Sequence, residues 1–534
     1  MSRFLILALV IGAVLRLVWL SSYPAGFTPD EAAFGYNAYS LLHTGRDEWG
    51  TAWYSLPFTS LRSFGDYKLP LYAFLAIPTI KIFGLTEFAV RLPNALLGIL
   101  AIVAVYLLAN KLFPRSGPIA ALLLAISPWH IGLSRGAFEA NLVTFLLPLG
   151  IYFFLKNLPL ASAVIFALNI YSYHSARLLT LPVLCLLWWY HRPRHGFKFL
   201  AVLVLLSLPA LYSLLGSAAT RISDVGIFHP TDNWKEVADR QFAARAQKLP
   251  PLVARLFTNK LTYSASLFIQ NYLSYLSFDF LFTSGAGESS YGLNPGRGLA
   301  YYLELPLLLG FIILLIKKPS KPLFFLLLLL LISPLPAALA KGPGHAANRA
   351  AVMIPFLIIS FSVGLVYLFT QVRSHKKIII VSLGTLYLAS LIFFLQDYRY
   401  HTPAVTAPSM SYGWGQLLPR LQPFADRFAD VRFSRSLSEP HIFLAFYWQI
   451  DPRQYQQAAI KWSDFNQKGL SFLDQYDGYY LGKYRFGDIH PTDSVTHPVL
   501  FIGKPSDFPP DFPRYFDINY PSGLPAITVS QALP

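Results

Sequence analysis

Residues 69–84, LPLYAFLAIPTIKIFG, are apolar enough to enter a membrane, yet they carry Pro78 and Lys81. At 1.5 Å per residue the run spans about 22 Å, short of a hydrocarbon core of about 30 Å. How it is read sets the side of every later loop. The segments KLFPRSG (111–117), YHRPRHGFK (190–198), IKKPSK (316–321) and VRSHKK (372–377) are short, basic and set between apolar runs, the pattern of cytoplasmic loops. Eleven spans, near 4–22, 88–110, 118–134, 139–156, 159–172, 177–190, 198–215, 299–316, 322–340, 350–371 and 377–395, keep all four on one side. Counting 69–84 as a twelfth would put them outside. It is therefore expected to be a juxtamembrane or re-entrant helix at the outer interface, which makes 23–87 one extracytoplasmic loop.

The composition agrees with a chain built for lipid. Of 534 residues, 54% are hydrophobic, 16% aromatic and only 13% charged. Four long apolar runs lie between 305 and 395, more than a water-soluble fold of that length needs. The net charge of +16 is explained by the basic loops, so no nucleic-acid partner is expected. The N-terminal MSRFLILALVIGAVLRLVWL reads as a retained signal anchor. The single cysteine, Cys185, excludes an internal disulfide. A second outer loop covers 216–298, where SFDFLFTSGAGESSYGLNPGRG (277–298) reads as a mobile segment. From 397 the composition changes. PHIFLAFYW, YYLGKYRF and HPVLFIGK look strand-like, whereas GWGQLLPRLQPFADRFA and 453–474 look helical. The expected architecture is a polytopic α-helical membrane domain over 1–396 and an extracytoplasmic α/β or α+β domain over 397–534.

With that topology, polar residues from separate regions meet at the outer interface. TPDEAAF places Asp30 and Glu31 after the first span; SPWHIGLSRGAFEAN supplies Arg135 and Glu139; NIYSYHSARLL supplies Tyr173, His174 and Arg177; GHAANRA supplies His345 and Arg349. Two readings of Asp30-Glu31 stay open. Thr28 and Pro29 ahead of the pair suit a helix cap, and acids in a first turn favour the helix dipole. Alternatively, one carboxylate is a general base while the other orients a group or ligates a divalent metal. Neighbours on a helix diverge by about 100°, so the two would divide the work. Lys68 is an interfacial anchor or a contact to a lipid-linked phosphate. Arg91, Arg135, Arg177 and Arg349 are phosphate-binding candidates, since a guanidinium offers several donors. His130, His174 and His345 show no metal-ligand spacing. Asp47 and Glu48, after Gly45-Arg46, read as turn residues.

The order of an apolar first span, PDEAAFGYNAYSLLHTG, KLPLYAFLAIPTIKIFG, EFAVRLPNALLGIL and SPWHIGLSRGAFEANL resembles the membrane GT-C glycosyltransferases. More narrowly, it is similar to the dolichyl-phosphate-mannose–protein mannosyltransferase-like branch, which includes the bacterial lipid A aminoarabinose transferases. The resemblance runs over about 1–215, weakens to 395 and is absent from 397–534. It implies transfer of one sugar, with inversion, from a polyprenyl-phosphate donor to a protein, lipid or glycan acceptor at the outer face of a bacterial or archaeal cell membrane. It also implies that Asp30 activates the acceptor with Glu31 as partner, that Lys68 lies near the donor phosphate, and that Arg91 is the arginine of the RLP element. Here KLP replaces the KPP of many relatives. A lipid-borne donor also accounts for a chain without a nucleotide-binding glycine motif. A transporter or flippase of envelope precursors would instead call for an internal repeat and midplane acids, which the spans lack.

Overall fold

The computed structural model describes residues 3–213, 226–228, 230–289, 291–342, 344–372, 374–462, 473–491 and 497–532. Parts of the expected outer loop 216–298 and of the expected helical stretch 453–474 lie outside them.

Helices stand at all eleven expected span positions: Arg3–Leu17, Glu87–Leu112, Gly117–Ile126 continued by Pro128–Ser134, Leu142–Leu155, Pro159–Ile170, His174–Tyr190, Gly196–Ser213, Leu305–Lys317, Lys321–Ile332, Met353–Gln371 and Lys376–Tyr400. By length and composition five described stretches suffice to cross a membrane, and the pair around Ser127, bent by 62°, makes a sixth. The remaining helices are shorter. The run at 69–84 forms the helix Leu71–Phe83, whose 13 residues rise only about 20 Å. It packs on the long helix Glu87–Leu112: Tyr72 Oη donates to the Val90 carbonyl at 2.9 Å and Thr79 Oγ1 to that of Ala89 at 2.6 Å.

The 62° bend has a local cause. Pro128 has no N–H for the carbonyl of Leu124, four residues back. The first helix supplies the substitute: the buried Arg16 donates to the carbonyls of Leu124 and Ala125, both at 3.0 Å. The same guanidinium lies 2.7 Å from His130 Nδ1, whose Nε2 is 2.9 Å from Thr144 Oγ1. Arg16 and His130 are thus matched inside the bundle, as intramembrane polar groups must be.

The C-terminal domain holds a six-stranded sheet in the order β4-β5-β3-β6-β8-β7, with β3 Asp430–Ser434, β4 Tyr479–Leu481, β5 Tyr484–Gly487, β6 Val499–Gly503, β7 Arg514–Asn519 and β8 Pro525–Ala532. The strands numbered β1 (Leu61–Ser63) and β2 (Asp66–Lys68) form a separate hairpin in the first loop. In the large sheet, β3 runs parallel to β5 and β6, and the other pairs are antiparallel, so the domain is mixed α/β. YYLGKYRF and HPVLFIGK are strands as expected, and Trp414–Ala425 is helical. PHIFLAFYW is not a strand: Pro440–Tyr447 is a helix begun by Pro440, and residues 440–446 are all buried. It is wedged between the sheet and the helix Pro29–Thr44, so it is apolar all round and shows no helical period. One hydrophobic core thus joins the segment 23–87 to the C-terminal domain, with Phe27 against Phe446 and Tyr36 against Tyr455.

Candidate active site

The helix Pro29–Thr44 starts with a complete capping box. Thr28 Oγ1 accepts from the Glu31 N–H at 3.2 Å, and Glu31 Oε2 accepts from the Thr28 N–H at 3.0 Å. Gly45, at φ +66°, ends the helix in the left-handed conformation that glycine adopts without strain. The cap reading therefore describes Glu31, and its environment completes that role. Its side chain is fully buried; Oε1 accepts from Arg91 Nε at 2.9 Å and from the Ala137 N–H at 2.9 Å.

Arg91 is equally buried, and its remaining donors reach the carbonyls of Leu20 (3.2 Å), Ser21 (3.3 Å), Pro24 (3.2 Å) and Gly26 (2.5 Å), with Nη2 also 3.3 Å from Glu31 Oε2. Every N–H of this guanidinium is directed at protein oxygen. The structure therefore places Arg91, read from the sequence as a phosphate ligand, as the tie that holds the chain between the first span and the helix Pro29–Thr44. A cation shared by Asp30 and Glu31 would have to displace it. Among the described residues no group of three His, Cys, Asp or Glu stands together as a metal site.

Asp30, one position earlier, faces the other way. Its side chain is 39% exposed and lies on a cavity of about 280 Å³. Lys68, at the end of β2, puts Nζ 2.5 Å from Asp30 Oδ1 and 3.2 Å from Asp66 Oδ2 while being only 2% exposed itself. Glu139, His174 and Arg349 line the same cavity. Of these, His174 Nε2 is 3.3 Å from the Tyr67 carbonyl and Arg349 Nη1 donates to the Lys341 carbonyl at 2.8 Å. Phe34, Phe138, Leu178 and Leu339 form an apolar side. Tyr173, placed with this group from the sequence, also lines the cavity, and Tyr291 and Asn348 add polar groups that the set of sequence candidates did not include. Burial, and after it the charge of Asp30, pushes the Tyr291 phenol well above its ordinary range. Tyr291 belongs to the Gly- and Ser-rich segment read as mobile; Arg297 (3.1 Å) and Asn294 tie that segment to Asp397.

The other candidates stand elsewhere. Arg135 binds the carbonyls of Leu15 (2.7 Å), Val18 (2.8 Å) and Trp19 (3.1 Å) at the end of the first helix. Arg177 binds the Ile170 carbonyl at 3.0 Å and Ser213 Oγ at 3.2 Å. His345 packs on Phe280. None of the three lines the cavity. A wider crevice of about 550 Å³ lies in the C-terminal domain, at the ends of β3, β5 and β6, and shares no residue with the Asp30 cavity.

Residues 68–214 match the family model described as dolichyl-phosphate-mannose-protein mannosyltransferase. Over this segment the chain is similar to that mannosyltransferase family. The match begins at Lys68 and takes in Arg91, Arg135, Glu139, His174 and Arg177, while Asp30 precedes it and Arg349 follows it. The search of curated proteins returned no match. Among solved structures, the apo oligosaccharyltransferase of Archaeoglobus fulgidus is similar at 17% identity and a TM-score of 0.47, covering 83% of this chain and 63% of that one. The chain thus spans less than two thirds of that relative's length. ArnT from Cupriavidus metallidurans, bound to undecaprenyl phosphate, is similar at 13% identity and a TM-score of 0.47, with 98% and 97% of the two chains covered. The arabinofuranosyltransferase AftD from Mycobacteria is similar at 15% identity and 0.37, covering 81% of this chain and 29% of its own.

Proposed function

We propose that this chain is a glycosyltransferase that moves one sugar from a polyprenyl-phosphate donor to a hydroxyl or amine of a protein, lipid or glycan acceptor, with inversion, at the extracytoplasmic face of a bacterial or archaeal cell membrane. The observation that carries the reading is Asp30 on the cavity wall with Lys68 2.5 Å away. A donor phosphate entering along the apolar side competes with Asp30 for the ammonium. Once Lys68 turns to the phosphate, Asp30 is freed as general base for the acceptor. The acceptor atom then attacks the anomeric carbon from the face opposite the phosphate and gives its proton to the carboxylate, while the sugar–phosphate bond breaks and the phosphate keeps the electron pair. Lys68 and Arg349 offset the charge that develops on it. Arg91 and Glu31 fix the helix that aims Asp30.

The test compares envelope glycans and glycoproteins by mass spectrometry in cells with the gene, without it, and with Asp30→Asn. A product missing from both altered strains, with normal protein level in the variant, is expected and identifies sugar and acceptor together. Full product formation by Asp30→Asn would overturn the role of Asp30.

A further inference from the structure

Glu48 is wholly buried, and neither of its carboxylate oxygens has a hydrogen-bond partner of good geometry. It follows the helix Pro29–Thr44, where its N–H donates to Asn37 Oδ1 at 3.0 Å. Asn37 Nδ2 donates in turn to Ser63 Oγ at 3.2 Å, on β1 of the hairpin that carries Lys68. Through the one amide of Asn37, Glu48 is fixed behind that hairpin. An ionised carboxylate is costly in such a place unless it is paired.

The neighbouring charges decide which form it takes. Lys68 already faces Asp30 at 2.5 Å and Asp66 at 3.2 Å. Asp47 adjoins Glu48 on its own turn; Tyr36 faces it from the helix Pro29–Thr44, and Tyr455 and Glu439 from the C-terminal domain. Lys68 is the cation that acts on it. Ionised, Glu48 would be a third carboxylate on one ammonium. Burial, with Asp47 adding to it, pushes Glu48 up to about 8 against the pull of Ser63, Lys68 and Asn37.

We infer that Glu48 is a positioning residue for phosphate binding: a neutral acid behind the Lys68 hairpin that leaves the ammonium available to the phosphate of a polyprenyl lipid. This rests on the reading of Lys68 as the phosphate ligand. When a phosphate draws Lys68 from Asp30, a neutral Glu48 does not compete for the ammonium. An ionised Glu48 competes for it and repels the phosphate. The proton stays on Glu48 throughout, so the effect is on binding and its pH dependence.

The test is the affinity of the full-length protein in detergent for undecaprenyl phosphate, read by tryptophan fluorescence at pH 7, 8 and 9, with thermal melting as the check of folding. The phosphate's second ionisation, near pH 6, is largely complete over this range. If only the protonated form of Glu48 permits binding, parent affinity falls about tenfold between pH 7 and 9. In Glu48→Gln the ratio between the two pH values stays near one. A parent affinity that does not fall overturns the inference without recourse to any variant. So does a fall that persists in Glu48→Gln while Lys68→Met loses binding. Should Lys68→Met bind as tightly as the parent, the reading of Lys68 itself fails.

Discussion

Replacing Arg91 by methionine separates a structural guanidinium from a phosphate-binding one. The substitution keeps much of the apolar stem and removes all five donors. Glu31 is left buried without its counter-ion, a loss of about 3–5 kcal/mol in comparable pairs. Four carbonyls, those of Leu20, Ser21, Pro24 and Gly26, lose a charged donor as well. At about 1 kcal/mol each these would add a similar amount, but the contributions overlap and water relieves part of them. A net destabilisation on the order of 5 kcal/mol follows, equivalent to roughly a 10 °C fall in Tm for a large domain. Thermal melting of purified protein in detergent, with and without undecaprenyl phosphate, measures it. The double variant Glu31→Leu/Arg91→Met recovers part of the loss, because replacing both charges by apolar groups removes the unpaired carboxylate. An Arg91→Met protein that melts within about 2 °C of the parent yet no longer binds the lipid phosphate would refute the structural role and place the guanidinium on the donor.

Four further outcomes are expected. Asp30→Glu keeps the charge but moves the carboxylate outward by a bond length or more, so transfer falls about a hundredfold while the melting temperature holds; parent-like turnover would mean that charge alone matters there. Arg16→Leu, which strips the carbonyls of Leu124 and Ala125 and the His130 ring of their shared partner, lowers stability by about 3 kcal/mol in a detergent melt. His441 in the C-terminal domain is buried, and burial lowers it to about 3 from an ordinary 6.5. Above pH 6.5 it is neutral whether folded or unfolded and contributes no slope; below that only the unfolded chain takes the proton, so stability falls by about 1.4 kcal/mol per pH unit down to pH 3. Denaturant titrations from pH 7 to 4 should show a shallower slope in His441→Phe. Deleting 397–534 uncovers Phe27, Gly35 and Tyr36, so aggregation in size-exclusion chromatography precedes any change of acceptor; a monodisperse truncated protein would show that the shared core is dispensable.

The membrane helices were legible because long apolar runs have few alternatives in any fold. The short helix Leu71–Phe83 was legible through its length and Pro78. Thr28 and Pro29 marked the helix that carries Asp30. The limits have physical reasons too. A guanidinium that caps carbonyls and one that awaits a phosphate look alike in sequence, so Arg91, Arg135 and Arg177 were read with Arg349, although among these four only Arg349 lines the cavity. Pro440–Tyr447 looked like a strand because a helix buried on every side loses its period. Glu48 looked like a turn residue because groups whose charges act with it, Tyr455 and Glu439 among them, lie some 400 positions away.

The adjacency of Asp30 and Glu31 follows from helix geometry. A capping box requires the acid at the third helical position, and Thr28 as N-cap makes that position Glu31. Its carboxylate is then committed to Thr28, Ala137 and Arg91, and the start of the helix is anchored to the end of the first span. About 100° around the axis, Asp30 points away from that anchor and onto the cavity, with Lys68 as its cation. One carboxylate is immobilised by its partners while its neighbour keeps a cation that a phosphate is able to take. In the proposed reaction, a base that is aimed before the donor arrives and released when it does needs both properties. Two adjacent acids at the start of one helix provide them, each through its own cation, Lys68 for Asp30 and Arg91 for Glu31.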